Sequence, residues 1–250
     1  MNKFVKTIIL KALKFAHKNM NCIVIFQNDE DRKVFINNNI IEKNQSYKLK
    51  GSGVDLDVFK YKSESADKKI RVLFTARMLR DKGVIELVDA ALILKDSYQD
   101  KVEFLLCGDI DDNPRSLTRS ELEALSDGTY IKWLGHRTDI QEILEESHIF
   151  AFPSYYGEGI PKSLIEACAA GRPIITTNSI GCKDTVIDGY NGYLVPIKNS
   201  KILAEKIKLL IDDKSLRKTM GENSRKLAEI NFSLKSVIET HLEIYNKLLT

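Results

Sequence analysis

The sequence predicts an α/β fold built on a doubly wound parallel sheet, and two patterns support this prediction. Short apolar runs alternate along most of the chain with longer amphipathic runs, which is the order produced by strands joined through crossover helices. The 250 residues are 43% hydrophobic and 29% charged, a composition typical of a globular protein. A chain of this length buries one large hydrophobic core or two small ones.

The individual elements follow from these patterns in chain order. Apolar runs rich in β-branched and aromatic residues predict strands at 22–26, 70–76, 102–107, 130–134, 149–153 and 173–177. Helical periodicity predicts a helix that starts within 28–35 and further helices at 84–95, 117–125, 140–147, 161–170, 201–211, 215–230 and 234–248. The polar stretch 60–69 indicates a linker. Ligands bind beyond the carboxyl ends of the strands in such sheets, so the loops after residues 76, 107, 134 and 153 are the predicted functional loops.

The most informative segment, 153–178, predicts a strand–loop–helix–strand unit with two acidic side chains. Its loop carries Glu158, and the following helix, predicted to open with Pro161 as its first residue, carries Glu166. Gly171 suits the left-handed end of that helix. Free N–H groups at a helix start attract phosphate, and carboxylates accept hydrogen bonds from sugar hydroxyls. The segment therefore indicates a nucleotide-sugar site.

Two further loops carry side chains suited to a nucleotide. Arg77 and Lys82 precede the helix at 84–95, where a guanidinium fork and an ammonium group could bind a diphosphate. Taken alone, such a loop is more often a solvated basic turn, but together with the segment that carries Glu158 and Glu166 it favours diphosphate binding. Gly135 and His136 form a tight turn into the next helix, where backbone groups could recognise a nucleobase edge, or His136 could be a turn residue without a ligand.

The N-terminal segment 3–18 contains five lysines and no acidic residue. Its longest apolar run, 8–10, is too short for a signal sequence or a membrane span. The segment predicts a basic amphipathic helix, which either lies on an anionic membrane surface or packs on the protein with a solvated lysine face. No targeting signal is evident, so we expect a cytoplasmic protein, with peripheral contact at the inner face of the membrane as one use of this helix.

Charge and cysteine spacing exclude other classes. The formal net charge of +3 is small, and aromatic residues do not alternate with basic residues along a strand, so no nucleic-acid partner is predicted. The four cysteines have no CxxC spacing, which favours reduced structural thiols over a zinc site.

At this point the residues resemble a known family. The segments 77–83 and 135–139, and the pair Glu158 and Glu166 with seven residues between them, are similar to retaining GT-B glycosyltransferases of family 4, especially the capsular and O-antigen polysaccharide branch. Three glycine-containing segments fit the same pattern: 51–55, 181–186 and 188–192. The likeness runs from about residue 20 to the C-terminus.

The resemblance implies a domain organisation. Members of the family have two Rossmann-like domains with the active site between them, and the first supplies the acceptor site. Residues 1–59 then correspond to a remnant of the acceptor-side domain, 60–69 to a linker, and 70–250 to the nucleotide-sugar-binding C-terminal domain, with the helix 234–248 packing back on the remnant. The chain is therefore expected to be the donor half of a transferase, either naturally split or truncated.

The resemblance also implies a reaction. A hexose or N-acetylhexosamine would move, with retention, from a nucleoside-diphosphate sugar (UDP being the expected nucleotide) to a lipid-linked or growing glycan acceptor in cell-surface polysaccharide synthesis. No cofactor is expected. Three residues are implied to be catalytic: Arg77 and Lys82 at the departing diphosphate, and Glu158 at the transferred sugar. Donor-binding residues are Glu166 at the ribose diol, amides near Gly159 and Ile160, the helix start at Pro161, Lys162 as a phosphate contact or an ordinary solvated lysine, and Gly135 with His136.

Three alternatives stay open. The acidic loop 109–112 mimics the DxD metal motif of other transferases and could hold Mg²⁺ or Mn²⁺, although Arg77 and Lys82 already offer the positive charge that a metal would supply, so no metal is predicted. The chain could instead be a non-catalytic nucleotide-sugar-binding module, or the donor subunit of a split transferase that needs a second chain. A GT-B epimerase or phosphorylase would require its own complete first domain.

Overall fold

Two parallel sheets organise the chain. The computed structural model describes residues 3–18, 21–64 and 69–249. Within these residues the strands are β1 (Val24–Phe26), β2 (Ser46–Lys48), β3 (Ile70–Thr75), β4 (Val102–Cys107), β5 (Ile131–Gly135), β6 (Ile149–Phe152), β7 (Ile174–Thr177) and β8 (Gly192–Val195). Strands β1 and β2 form a small sheet, and the other six form a sheet of order β5-β4-β3-β6-β7-β8 in which neighbours are parallel. The predicted fold class is confirmed.

Helices precede, connect and follow these strands. They are α1 (Lys3–Ala16), α2 (Asp29–Asn37), α3 (Val84–Tyr98), α4 (Arg119–Leu125), α5 (Ile140–Glu146), α6 (Lys162–Ala169), α7 (Ser200–Asp212), α8 (Lys214–Asn231) and α9 (Leu234–Leu249). Short 3-10 turns lie at Lys43–Gln45, Arg80–Lys82 and Lys183–Thr185. Helix α3 packs against α7, and α6 packs against α8.

The predicted boundaries need several corrections. Pro161 is the residue before α6, with φ −61° and ψ 129°, and not the first helical residue as predicted, because its extended ψ keeps it outside the helix. Helix α4 begins at Arg119 because Thr118 caps it, accepting the N–H of Glu121 over 3.3 Å. Strands β2 and β8 were not predicted, since Ser-Tyr-Lys and Gly-Tyr-Leu-Val are short runs with weak strand signals.

The large sheet has a topological switch point between β3 and β6. The chain passes from β3 outward through β4 and β5 and then returns to β6, which pairs with β3 on its other side. Connections therefore leave the carboxyl ends of β3 and β6 in opposite directions, which opens a crevice there. Buried aromatic residues fill the sheet below that crevice: Phe74, Phe104, Phe150 and Phe152 are each at most 1% exposed.

The N-terminal residues form a separate small cluster. Phe26, Ile40 and Ile41 are buried together, with Leu10 and Leu13 of α1 packed against them. Strand β1 pairs with β2 and with no further strand among the described residues.

The end of the chain contacts this N-terminal part. The N–H of Val54 donates to the carbonyl of Phe232 over 2.8 Å, and the N–H of Leu234 donates to the carbonyl of Val54 over 3.0 Å. On α9, the Lys247 ammonium lies 3.2 Å from the Tyr47 hydroxyl. Of the predicted linker 60–69, residues 65–68 lie outside the described residues. The division into a remnant, a linker and a donor domain stays a prediction.

No helix in the described part of the chain is long and apolar enough to cross a bilayer.

Candidate functional site

The loops that follow β3 and β6 are tied together by their backbones. The carbonyl of Asp81 accepts the N–H groups of Tyr155 and Tyr156 over 2.9 and 3.1 Å. Gly83 has φ +84°, and a Cβ built on it would lie 2.3 Å from the carbonyl oxygen of Pro153, so no other residue fits there without moving the backbone. The two loops therefore hold their side chains at fixed relative positions at the switch point.

These loops bring Lys82 and Glu158 into direct contact. The Lys82 ammonium donates to Glu158 Oε1 over 2.5 Å. Lys82 is 7% exposed, and its Nζ lies 5.0 Å from the ring centroid of Tyr156 and 5.7 Å from that of Phe152. A charge-assisted hydrogen bond is strong when its groups are shielded from water to this extent. The pair places a positive and a negative group side by side at the switch point.

A cavity of about 300 Å³ lies at the carboxyl ends of β3, β4 and β5. At its floor Gly108 has φ +144°, and a Cβ there would lie 1.7 Å from the carbonyl oxygen of Ala76. The Thr75 hydroxyl oxygen is buried and has no hydrogen-bond partner among the described residues. The cavity is lined by residues 75–77, 107–111, 136, 137, 140 and 166.

Glu166 reaches this cavity from α6. Its side chain is 14% exposed, and burial raises the pKa of its carboxyl above the ordinary value, while the nearby Lys162 ammonium acts in the opposite direction. The Lys162 Nζ lies 3.8 Å from Glu166 Oε1, and the lysine side chain is 68% exposed. A largely buried carboxylate that faces a cavity can accept hydrogen bonds from two neighbouring hydroxyls.

Arg77 and His136 line the same cavity as Glu166. The Arg77 guanidinium donates to Asp111 Oδ2 over 2.9 Å, and this hydrogen bond lowers the pKa of the Asp111 carboxyl. His136 is exposed, and it follows Gly135, which ends β5 with φ +66°. Both interpretations of His136 therefore stay open.

The acidic loop 109–112 and the cysteines show no metal cluster. Among the residues that the structure describes, no group of three or more His, Cys, Asp or Glu side chains could hold a metal ion. Cys107, Cys168 and Cys182 are buried and unbridged. Burial raises the pKa of the Cys107 thiol to about 11, so this thiol is protonated at neutral pH.

The turn between Glu158 and α6 differs from the sequence prediction. The Ile160 N–H, expected to be available to a phosphate, donates to Gln27 Oε1 over 3.1 Å. A Cβ on Gly159 would lie 2.1 Å from that same oxygen. The side chain of Gln27 therefore occupies the position predicted for an anion at the Ile160 amide.

The structure thus groups the predicted residues in two clusters. Arg77, His136 and Glu166 share one cavity, and Lys82, from the same loop as Arg77, contacts Glu158. Sequence reasoning missed two polar contributors. Thr75 could have been found, because it is the last residue of a strand whose following loop was predicted to be functional; Gln27 carried no recognisable signal.

A larger cavity of about 620 Å³ lies between residues 54–57 and 233–239. None of the predicted site residues lines it.

Comparison with known proteins gives consistent results. Residues 57–227 match the family described as glycosyl transferases group 1. The chain is 33% identical over 250 residues to an N,N'-diacetylbacillosaminyl-diphospho-undecaprenol alpha-1,3-N-acetylgalactosaminyltransferase of Campylobacter jejuni, covering 95% of the chain and 62% of that protein. It is 31% identical over 207 residues to the capsular polysaccharide biosynthesis glycosyltransferase CapM of Staphylococcus aureus, covering 79% of the chain and 53% of that protein. The chain thus spans about six tenths or less of the length of these relatives.

Solved structures share the fold. A glycosyltransferase from Rickettsia africae superposes with a TM-score of 0.84 at 24% identity, covering 96% of the chain and 67% of that structure. Anabaena Alr3699/HepE in complex with UDP gives 0.80 at 20% identity, covering 95% and 68%. At these identities the likeness concerns the fold alone.

Proposed function

The chain belongs to the group 1 glycosyltransferases, and from this premise we propose that it is a retaining, GT-B family 4 enzyme that uses a nucleoside-diphosphate sugar. The sugar is a hexose or N-acetylhexosamine, the nucleotide is UDP, and the acceptor is a lipid-linked or growing glycan of the cell surface. One observation carries this proposal: the loop after β3 places Arg77 in the cavity that contains Glu166 and places Lys82 in contact with Glu158. The Campylobacter relative named for a diphospho-undecaprenol acceptor supports the acceptor class.

The nucleoside occupies the 300 Å³ cavity in this proposal. Glu166 accepts the two ribose hydroxyls, since one carboxylate matches two neighbouring donors. The buried hydroxyl of Thr75 offers a further polar contact in the cavity wall. Backbone groups at Gly135 and His136 face the base edge. HepE, which shares the fold, was crystallised with UDP.

The diphosphate lies between Arg77 and Lys82. The leaving group gains negative charge as the sugar–phosphate bond breaks, and fixed cations at that position stabilise it. The start of α6, preceded by Pro161, adds the N–H groups of its first turn, and Lys162 lies at that end of the helix. These cations supply the charge that a metal ion would otherwise provide.

Glu158 holds the transferred sugar. Its carboxylate accepts the Lys82 ammonium through one oxygen, so the other oxygen remains an acceptor for a sugar hydroxyl. With retention of configuration, the leaving phosphate takes the acceptor's proton and the acceptor oxygen bonds to the anomeric carbon from the same face. No strong side-chain base is then required.

Specific observations favour a second candidate, in which the chain is the donor half of a split transferase or a non-catalytic module. Strand β1 lacks a second neighbour among the described strands. On α9, large apolar side chains are exposed, including Leu242 at 55% and Leu249 at 85%. A second α/β unit carrying the acceptor site would cover such surfaces. Residues 1–59 are then the remnant, 60–69 the linker and 70–250 the donor domain.

The proposal includes peripheral contact with the inner face of the cytoplasmic membrane. Helix α1 exposes Phe4 by 71% and Phe15 by 82%, and residues 3–18 carry five lysines without an acidic residue. Apolar side chains flanked by lysines suit an anionic lipid surface, where a lipid-linked acceptor would also lie.

Calorimetric titration tests the donor assignment. We expect the chain to bind UDP or a UDP-sugar more tightly than GDP forms, with affinity unchanged by EDTA because cationic side chains already face the diphosphate. Glu166→Gln and Lys82→Met should each weaken binding roughly ten-fold or more, the effect of losing a hydrogen bond to a charged group. Lys208→Met, which removes an exposed lysine on α7, is the matched control and should change nothing. Unaltered affinity in the two site variants, or loss of binding on chelation, would contradict the proposal.

A further inference from the structure

Gln27 connects the N-terminal part of the chain to the turn that carries Glu158. It follows β1 directly, and its side-chain oxygen accepts the N–H of Ile160 over 3.1 Å across 133 positions of sequence. Ile160 itself is 5% exposed. A buried N–H without an acceptor costs free energy, so this contact stabilises one conformation of the turn.

The same turn is confined on both sides. A Cβ on Gly159 would collide with the Gln27 side chain, at 2.1 Å from Oε1 and 3.0 Å from Cδ. On the other side Gly181, at φ +84°, approaches so closely that a Cβ would lie 2.1 Å from the Gly159 oxygen and 2.7 Å from the Glu158 oxygen. The backbone of Glu158 and Gly159 therefore lies between Gln27 and Gly181.

Gln27 is held in place by the residues that follow it. Asn28 is 1% exposed and caps α2 by accepting the Asp31 N–H over 2.7 Å. The Glu30 carboxylate pairs with the Lys183 ammonium on the loop after β7, and this hydrogen bond lowers the pKa of Glu30. The start of α2 is thus anchored to the larger domain near Gly181.

We propose that Gln27 is a positioning residue that fixes the turn 158–160 and thereby the Glu158 carboxylate that recognises the transferred sugar. The proposal rests on the donor function proposed above and extends it: sugar recognition depends on a residue of the N-terminal unit, whereas nucleotide recognition does not. Loss of the Gln27 contact should therefore weaken binding of a UDP-sugar selectively, relative to UDP.

Three variants separate this role from general stability. Gln27→Met keeps the length of the side chain but removes the acceptor, whereas Gln27→Glu keeps an acceptor oxygen. Gln45→Met is the matched control, because Gln45 is also a glutamine of the N-terminal unit whose Oε1 accepts a backbone N–H, that of Glu42, over 2.9 Å. Two quantities are measured in each full chain: the ratio of the UDP and UDP-sugar dissociation constants, and amide hydrogen exchange at Gly159 and Ile160.

We expect Gln27→Met to leave UDP affinity within about two-fold, to shift the ratio roughly ten-fold against the UDP-sugar, and to speed exchange of the Ile160 amide by a similar factor. Gln27→Glu should retain the wild-type ratio of the two dissociation constants. Gln45→Met should lower the stability of the chain but leave that ratio unchanged. An unchanged ratio in Gln27→Met overturns the positioning role. If the wild-type chain binds no nucleotide, the donor function fails on its own. Faster exchange of the Ile160 amide in Gln27→Met then still supports the positioning of the turn by Gln27, and unchanged exchange overturns it.

Discussion

The contact between Lys82 and Glu158 can be tested by a double-mutant cycle. Lys82→Met removes the ammonium and preserves most of the side-chain volume, and Glu158→Gln removes the negative charge and preserves the shape. The double variant closes the cycle, so that the coupling free energy isolates the pair from the other effects of each substitution.

The expected magnitude follows from burial. The lysine and glutamate side chains are 8% and 23% exposed, with nitrogen and oxygen 2.5 Å apart. A hydrogen bond to a charged group in such surroundings contributes about 1.5–3 kcal/mol, so we expect a coupling free energy of about 2 kcal/mol. Lys82→Met alone should cost somewhat more, since the cation also lies over the rings of Tyr156 and Phe152, and such contacts contribute from about 0.5–1 kcal/mol at exposed sites to about 2 kcal/mol when desolvated.

The assay is urea unfolding followed by circular dichroism, with free energies compared at a common slope. The pair Lys208 and Asp212 is the matched control, because its atoms are also 2.5 Å apart while its side chains are 53% and 46% exposed. Its coupling should be only about 0.3–0.5 kcal/mol. Equal coupling in the two pairs would refute the argument that burial at the switch point makes the Lys82–Glu158 contact strong.

Two further predictions concern pH and activity. Burial raises the pKa of the Glu166 carboxyl above its ordinary 4.5, so UDP affinity should fall as the pH is lowered through that raised pKa, and a wild-type affinity independent of pH would contradict the ribose assignment. Glu166→Gln should bind UDP weakly at every pH. Because folding disfavours the ionised form of this carboxyl, the variant should also be at least as stable as the wild type at neutral pH. In a radiolabelled transfer assay with a lipid-linked acceptor, we expect the isolated chain to transfer sugar very slowly or not at all, because positioning of the acceptor carries much of the rate. We expect a co-expressed chain that carries an acceptor domain to restore transfer. Rapid transfer by the purified monomeric chain would show that residues 1–59 suffice.

The sequence alone determined the sheet and most of its connections. Strands buried on both faces of a parallel sheet are continuous apolar runs, which is why 102–107 was predicted with the bounds that the structure has. The weakest strand signals belonged to β2 and β8, whose residues are only partly apolar. Helix starts were displaced by a residue or two where a capping side chain decided the boundary, as at Thr118.

The sequence also identified loops that the structure places at one edge of the sheet. Because carboxyl ends of parallel strands share an edge, Arg77, His136 and Glu166 could be expected near one another, and they line one cavity. Their roles toward a donor stay predictions.

Only the tertiary structure decided the contacts of these residues. Lys82 meets Glu158 across 76 positions, Arg77 turns to Asp111, and Gln27 takes the amide of Ile160. Each contact depends on strand register and on backbone approaches that only glycine permits, such as Gly83 against Pro153. Local sequence patterns indicate which face of an element a residue occupies, but its partner across the crevice is set by packing between distant segments. The residues of the site were therefore predictable, whereas the contacts between them were not.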